Sequence, residues 1–100
     1  MILGTQTQQP NELLDYDISY KNWLVGTDRI ATVNATVEPP YDVDTNPDGL
    51  RATYLSHDGE VVKLWVSGGI SGTTYKVELT VETDDGRIKQ DELRFKIKES

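Results

Sequence analysis

The chain has 100 residues and a net charge of −7, from 17 acidic and 10 basic side chains. This length predicts a single domain with one core, too small to hold a deep pre-formed cleft as well. Binding to phosphates needs clustered cations, so the acidic balance and the lack of a Lys/Arg stripe argue against nucleic acids and anionic membranes as partners. The absence of cysteine excludes disulfides and thiol chemistry.

The first twelve residues are polar and rich in glutamine, and their apolar residues follow neither a strand nor a helix period. We therefore predict a flexible N-terminal arm over residues 1–12, able to order on a partner, followed by a single domain over residues 13–100. The N-terminus lacks the basic and apolar regions of a signal peptide, and no apolar run approaches the roughly 18 residues of a membrane span. These features predict folding in the cytosol.

From residue 14 onward, apolar side chains recur at every second position in several short segments separated by turn signals such as Pro39-Pro40 and Asp58-Gly59. The predicted strands are residues 14–20, 29–38, 50–56, 61–67, 75–82 and 88–98. No segment has convincing helical spacing. The pattern predicts an all-β fold, an immunoglobulin-like or fibronectin type III-like antiparallel β-sandwich of about seven strands, in which Tyr75 braces a corner.

An acidic loop over residues 41–49 contains the opening of a calcium-binding loop, in which oxygen ligands alternate before a glycine. The match then fails, because Leu55 stands where the bidentate glutamate should be and Pro47 lies inside the loop. Asp, Asn, Pro and Gly are also the ordinary residues of turns. We favour a plain acidic turn and predict no cofactor, while the candidate calcium ligands are Asp44, Asn46 and Asp48.

Catalytic chemistry finds little support in the sequence. The one histidine, His57, lies in a predicted hairpin turn, and the adjacent Ser56 belongs to the opposite face of its strand. Most Asp and Glu residues alternate on strand faces that should meet water, without a cleft that would bring an acid and a base together. We therefore predict that the protein is not an enzyme.

Aromatic side chains provide the best candidates for recognition through the surface. Trp65 leads, because its strand neighbours occupy the predicted core face, and Tyr54 and Tyr41 complete the set of predicted interaction residues. Trp23 and Tyr75 are expected in the core. These aromatics leave open an alternative function, a carbohydrate-binding or adhesion-like β-sandwich module, with or without stabilisation by calcium.

Several segments together have a familiar order. Residues 14–24 read LDYDISYKNWL, residues 28–32 read DRIAT, residues 64–77 read LWVSGGISGTTYKV and residues 83–87 read TDDGR. Over residues 13–98 this resembles a family of small phage and prophage virion-associated proteins with an immunoglobulin-like fold, often described as fiber–tail adaptors. The segment 38–60 is longer and more acidic than that pattern.

The resemblance implies a non-enzymatic component of the virion, made in the cytoplasm of the bacterial host, that binds other virion proteins. The implied partners are tail, fiber, portal or capsid proteins, with augmentation at a sheet edge as the expected mode of contact. The resemblance does not choose between a tail-fiber adaptor, a head–tail connector and a capsid decoration. It also leaves open a homo-oligomer within the particle.

Overall fold

The computed structural model describes the backbone of residues 2–99 and the side chains of residues 3–52 and 57–99. Within these residues the chain forms seven strands and no helix, so no helix is present that could cross a membrane. The strands are β1 (Ile2–Gln8), β2 (Leu13–Ser19), β3 (Ile30–Glu38), β4 (Arg51–His57), β5 (Val61–Ser67), β6 (Thr74–Thr83) and β7 (Ile88–Ile97). They form a four-stranded sheet in the order β1-β7-β6-β3 and a three-stranded sheet in the order β2-β5-β4. This confirms the predicted all-β sandwich.

The core lies between the two sheets and follows directly from the alternation in the sequence. Every second residue of β5, of β6 and of β7 from Asp91 onward is fully or almost fully buried, because one face of each strand is turned toward the opposite sheet. Tyr16 of β2 packs edge-to-face on Phe95, with ring centroids 5.1 Å apart. The main cluster of buried side chains contains Leu50, Leu64, Val66, Tyr75, Val77, Leu79, Leu93, Phe95 and Ile97.

The segment that we predicted to be a flexible arm instead forms β1, which pairs in parallel with β7. The strand is mostly exposed, but its last residue, Gln8, is 1% exposed. The amide Nε2 of Gln8 donates to the Val66 carbonyl at 2.9 Å, and its Oε1 accepts from the Tyr16 hydroxyl at 2.7 Å. The predicted antiparallel arrangement holds for the other four pairings but not for this one.

The glycine-rich crossing between β5 and β6 is held against the core. The Tyr75 hydroxyl accepts a hydrogen bond from the Ile70 N–H at 3.0 Å, and the ring lies in the core, as expected for this tyrosine. Gly69 has a φ of 101°, and a Cβ there would lie 2.6 Å from Cγ1 of Ile97. Only glycine combines this backbone conformation with so close an approach to the core.

Candidate protein-interaction surface

The edges of β3 and β4 lie beside each other without sharing hydrogen bonds, and the loop of residues 39–50 joins them. At this place the sandwich opens into a cavity of about 530 Å³. We call it the loop groove, and its lining residues are Thr36, Val37, Pro40, Tyr41, Leu50, Arg51 and Ala52. Most of these side chains are apolar, so the groove suits an apolar or aromatic side chain of a partner.

One wall of the loop groove is a cation–aromatic pair. The guanidinium carbon of Arg51 lies 3.9 Å from the centroid of the Tyr41 ring, and Nη2 of Arg51 also donates to the Tyr41 hydroxyl. Arg51 remains exposed and Tyr41 is half-buried. The predicted interaction residue Tyr41 is therefore pre-oriented, but one face of its ring is covered by the guanidinium and is not open for stacking on a sugar.

The loop beside the groove is organised by its own hydrogen bonds. Oδ1 of Asp42 accepts from the backbone N–H groups of Asp44 at 2.8 Å and Thr45 at 3.1 Å. These bonds hold the pKa of Asp42 below its usual value. Nδ2 of Asn46 donates to the Pro40 carbonyl at 2.7 Å, and Asp42 and Asn46 form a small backbone bridge. The loop therefore presents Tyr41 from a structured turn.

Of the three candidate calcium ligands, Asn46 stabilises this turn through its side chain. Asp44 and Asp48 are exposed, and Asn46 uses its side-chain amide as a donor. Among the described residues, no group of three His, Cys, Asp or Glu side chains is placed to hold a metal ion. Gly49, the last residue of the motif, is needed for close packing, because a Cβ there would lie 2.5 Å from Nδ2 of Asn46. The plain acidic turn stays the prediction, and calcium binding stays the alternative to it.

Trp65 lies half-buried on the outer face of the three-stranded sheet. The strand register places it opposite Asp15 on one side and opposite Tyr54 on the other, while the Tyr54 side chain lies outside the described residues. Arg51 pairs with Ser67, two residues beyond Trp65 on the same face. The outer face of the sheet therefore continues from Trp65 to Arg51 and the loop groove.

The rest of this outer face is polar. Nζ of Lys63 lies 2.8 Å from Oδ2 of Asp15 and 3.2 Å from Oδ1 of Asp17. The hydrogen bond to Asp15 raises the pKa of Lys63 and lowers the pKa of Asp15. All three groups are substantially exposed, so water and salt screen these pairs and they add little to stability.

A second cluster, which the sequence analysis did not predict, lies at the opposite end of the sandwich. The guanidinium of Arg87 lies 4.2 Å from the Trp23 ring centroid, and Nη1 of Arg87 donates to the Trp23 carbonyl at 3.0 Å. The Trp23 ring packs against the small core cluster around Tyr20 and is half-buried rather than fully in the core. This contact fastens the β2–β3 connection to the β6–β7 turn.

Asp28 makes the same connection through hydrogen bonds. It is 2% exposed, and its Oδ1 accepts from the N–H groups of Arg29 at 3.0 Å and Asp85 at 3.1 Å. Burial raises the pKa of Asp28, but the hydrogen bonds from Thr83, Asp85 and Arg29 and the charge of Arg87 outweigh it and lower the pKa. This end of the domain is therefore tied together internally, whereas the loop groove is open.

A small two-sheet domain whose open features are a shallow groove, an aromatic–guanidinium pair and free sheet edges belongs to the class of modules that act by binding other proteins. A family model described as podophage GP4 fiber-tail adaptor protein gp77 matches residues 8–96, and the chain belongs to this family of phage fiber-tail adaptors. No curated protein matches the chain. The match confirms the predicted resemblance. It defines a structural adaptor of the phage particle, which is not a class of enzyme.

Proposed function

We propose that the protein joins a tail protein to a fiber protein in the phage particle, and that one of these partners docks in the loop groove. The observation that carries the proposal is the Tyr41–Arg51 pair on the rim of an open, mainly apolar cavity. Tyrosine and arginine are among the residues that contribute most to protein–protein binding. The family membership supplies the kind of partner.

The structure of the loop supports this role in energetic terms. Ordering a flexible loop on binding costs free energy, and a loop already fixed by internal hydrogen bonds avoids part of this cost. Asp42 and Asn46 provide these bonds within the loop that carries Tyr41. The net charge of −7 would also favour association with a basic surface.

The test is a binding measurement between the purified chain and the purified tail and fiber proteins of the same phage. We expect Tyr41→Ala to weaken binding to one partner roughly thirtyfold, which corresponds to about 2 kcal/mol for an interface hot spot. Arg51→Ala should weaken binding to the same partner. Binding to the other partner should change little in both variants.

A matched control is Val25→Ala, which alters a 67% exposed side chain in the β2–β3 connection at the far end of the sandwich. It should bind both partners like the unmodified chain. Wild-type affinity for both partners in Tyr41→Ala and Arg51→Ala would exclude the loop groove as the docking site. Failure of the unmodified chain to bind either partner would exclude the adaptor role itself.

A further inference from the structure

The free edge of β3 has the features of a strand that pairs with another strand. β3 is the last strand of the four-stranded sheet and is bonded only to β6. Residues 30–37 read IATVNATV and contain no charge and no proline, although charges, prolines and bulges are the usual protection of an edge. The one irregularity lies between Ile30 and Thr32, and from there the ladder with β6 is continuous to Glu38.

The other three sheet edges are less suitable, and the register of β4 is interrupted between Ala52 and Tyr54. β2 carries Asp15 and Asp17, which point outward and bind Lys63. β1 is uncharged, but its register is interrupted between Ile2 and Gly4. The regular stretch Thr32–Glu38 of β3 is therefore the edge best able to accept a further strand.

The inner face of β3 is also incompletely covered. Val33, Ala35 and Val37 face the other sheet but remain half-buried, whereas the residues of β6 that they pair with, Val81, Leu79 and Val77, are 0% exposed. A strand added beside β3 would contribute its own apolar row and cover these side chains. The added strand must therefore alternate apolar and polar residues in the same way as β3 does.

We propose that β3 pairs antiparallel with β3 of a second copy of this chain, centred on Ala35. In this register the stretch Thr32–Glu38 overlaps fully with itself, Ala35 lies opposite Ala35, and Val33 lies opposite Val37 of the second copy. Apolar side chains thus meet apolar side chains on the inner face, as an isologous contact requires.

The charges at the two ends of β3 are complementary in the same arrangement. Glu38, with a 74% exposed side chain, lies at one end of the strand, 3.4 Å from Nζ of Lys76. Arg29, 46% exposed, lies just before the other end, 3.7 Å from Oε1 of Glu60, and both side chains remain exposed enough to contact a second copy as well. Antiparallel pairing brings Glu38 of each copy toward Arg29 of the other. A parallel pairing would instead place the two Glu38 carboxylates side by side.

The contact involves seven residues of each copy, so it lies at the small end of protein interfaces and should be weak in dilute solution. Each copy carries a net charge of −7, and this repulsion is screened by salt. We therefore expect the dimer to be favoured by high protein concentration and by added salt. A disulfide between the two copies, which holds a weak dimer together covalently, is the appropriate readout.

The chain contains no cysteine, so a single introduced thiol reports on one position. Under mild oxidation, Ala35→Cys should form a disulfide-linked dimer, because antiparallel partners lie close enough for a disulfide. The matched control is Thr32→Cys on the same strand. In the proposed register the two Thr32 residues are six positions apart, about 20 Å, and should not cross-link.

A second pair of variants tests the same strand register without changing the half-buried Ala35, where a substitution can impair folding. Asn34 and Thr36 are exposed, and they lie opposite each other in the proposed dimer. A mixture of Asn34→Cys and Thr36→Cys should give mainly the mixed disulfide dimer. The proposal is overturned if neither Ala35→Cys nor the mixture cross-links more than Thr32→Cys does. Native mass measurements of the unmodified chain that show species larger than a dimer would also overturn it, because an isologous contact closes at two copies.

This inference does not rest on the proposed function, but Thr36 and Val37 belong both to the loop groove and to the proposed dimer contact, so the dimer and a partner in the groove compete for the same place. Its test uses the chain alone and no tail or fiber protein. A monomer that binds its partners through Tyr41 would contradict the dimer only, and a dimer that binds neither partner would contradict the proposed function only.

Discussion

Replacing Gln8 with alanine should destabilise the domain by about 2–3 kcal/mol, although Gln8 is a polar residue of a mostly exposed edge strand. Its side chain makes three hydrogen bonds. Nε2 donates to the carbonyls of Val66 at 2.9 Å and Glu12 at 3.0 Å, and Oε1 accepts from the Tyr16 hydroxyl at 2.7 Å. These bonds tie β1 to both β5 and β2, so Gln8 connects the two sheets.

The magnitude follows from the environment of the three partners. A hydrogen bond between neutral groups contributes roughly 0.5–1.5 kcal/mol net, and a buried group left without a partner costs roughly 1–3 kcal/mol. The bond to the Val66 carbonyl is buried, so its loss costs the most of the three. The bonds to Glu12 and Tyr16 are only partly buried, and water can replace much of their contribution.

The assay measures the free energy of unfolding of Gln8→Ala in urea. The control is Gln6→Ala, which removes an exposed glutamine from the same strand. Gln6→Ala should stay within about 0.5 kcal/mol of the unmodified chain, as surface substitutions usually do. Gln8→Ala should also lower the melting temperature by roughly 10–20 °C for a domain of this size. Equal stabilities of the two variants would refute the claim that Gln8 fastens β1 to the sandwich.

Two further substitutions test the core. Burial raises the pKa of Tyr20 above the ordinary 10.0, and the hydrogen bond to Asp91 and the charge of Asp91 act in the same direction. The stabilising contribution of Tyr20 is therefore present below pH 10 and is lost as the pH rises further. Tyr20→Phe should lower stability by about 1–2 kcal/mol at pH 7 and show a smaller further loss above pH 10, measured by urea unfolding; an unchanged alkaline slope would contradict this. Gly69→Ala should cost more than about 2 kcal/mol in the same assay, because of its positive φ and the clash with Ile97, whereas Gly72→Ala, with a positive φ but open space, should cost about 1 kcal/mol. Equal costs at the two glycines would show that the contact with Ile97 has no effect.

The strands of the core could be predicted because burial on one face imposes a period of two. In β6, Tyr75, Val77, Leu79 and Val81 alternate with polar residues, and the structure buries these four side chains. The same signal failed for β1, where residues 5–8 are polar on both faces and Ile2 and Leu3 are adjacent rather than alternating. Its position is fixed by backbone pairing with β7 and by the buried side chain of Gln8, and neither leaves a pattern in the sequence.

The interaction surface was only partly predictable. Tyr41 was selected for its residue type, but its partner Arg51 was not, because the two residues are ten positions apart and meet only through the path of the loop. The pair of Trp23 and Arg87 is separated by 64 positions and was missed for the same reason. Contacts between loops depend on the tertiary fold, which the local alternation of side chains does not specify.

The most direct test of the adaptor role is a cryo-electron microscopy structure of the phage particle that contains this protein. The proposal predicts copies of the chain at the joint between tail and fiber, with Tyr41 and Arg51 of the loop groove buried against one of these proteins. A particle in which the chain lies elsewhere, or in which the loop groove faces solvent, would contradict it.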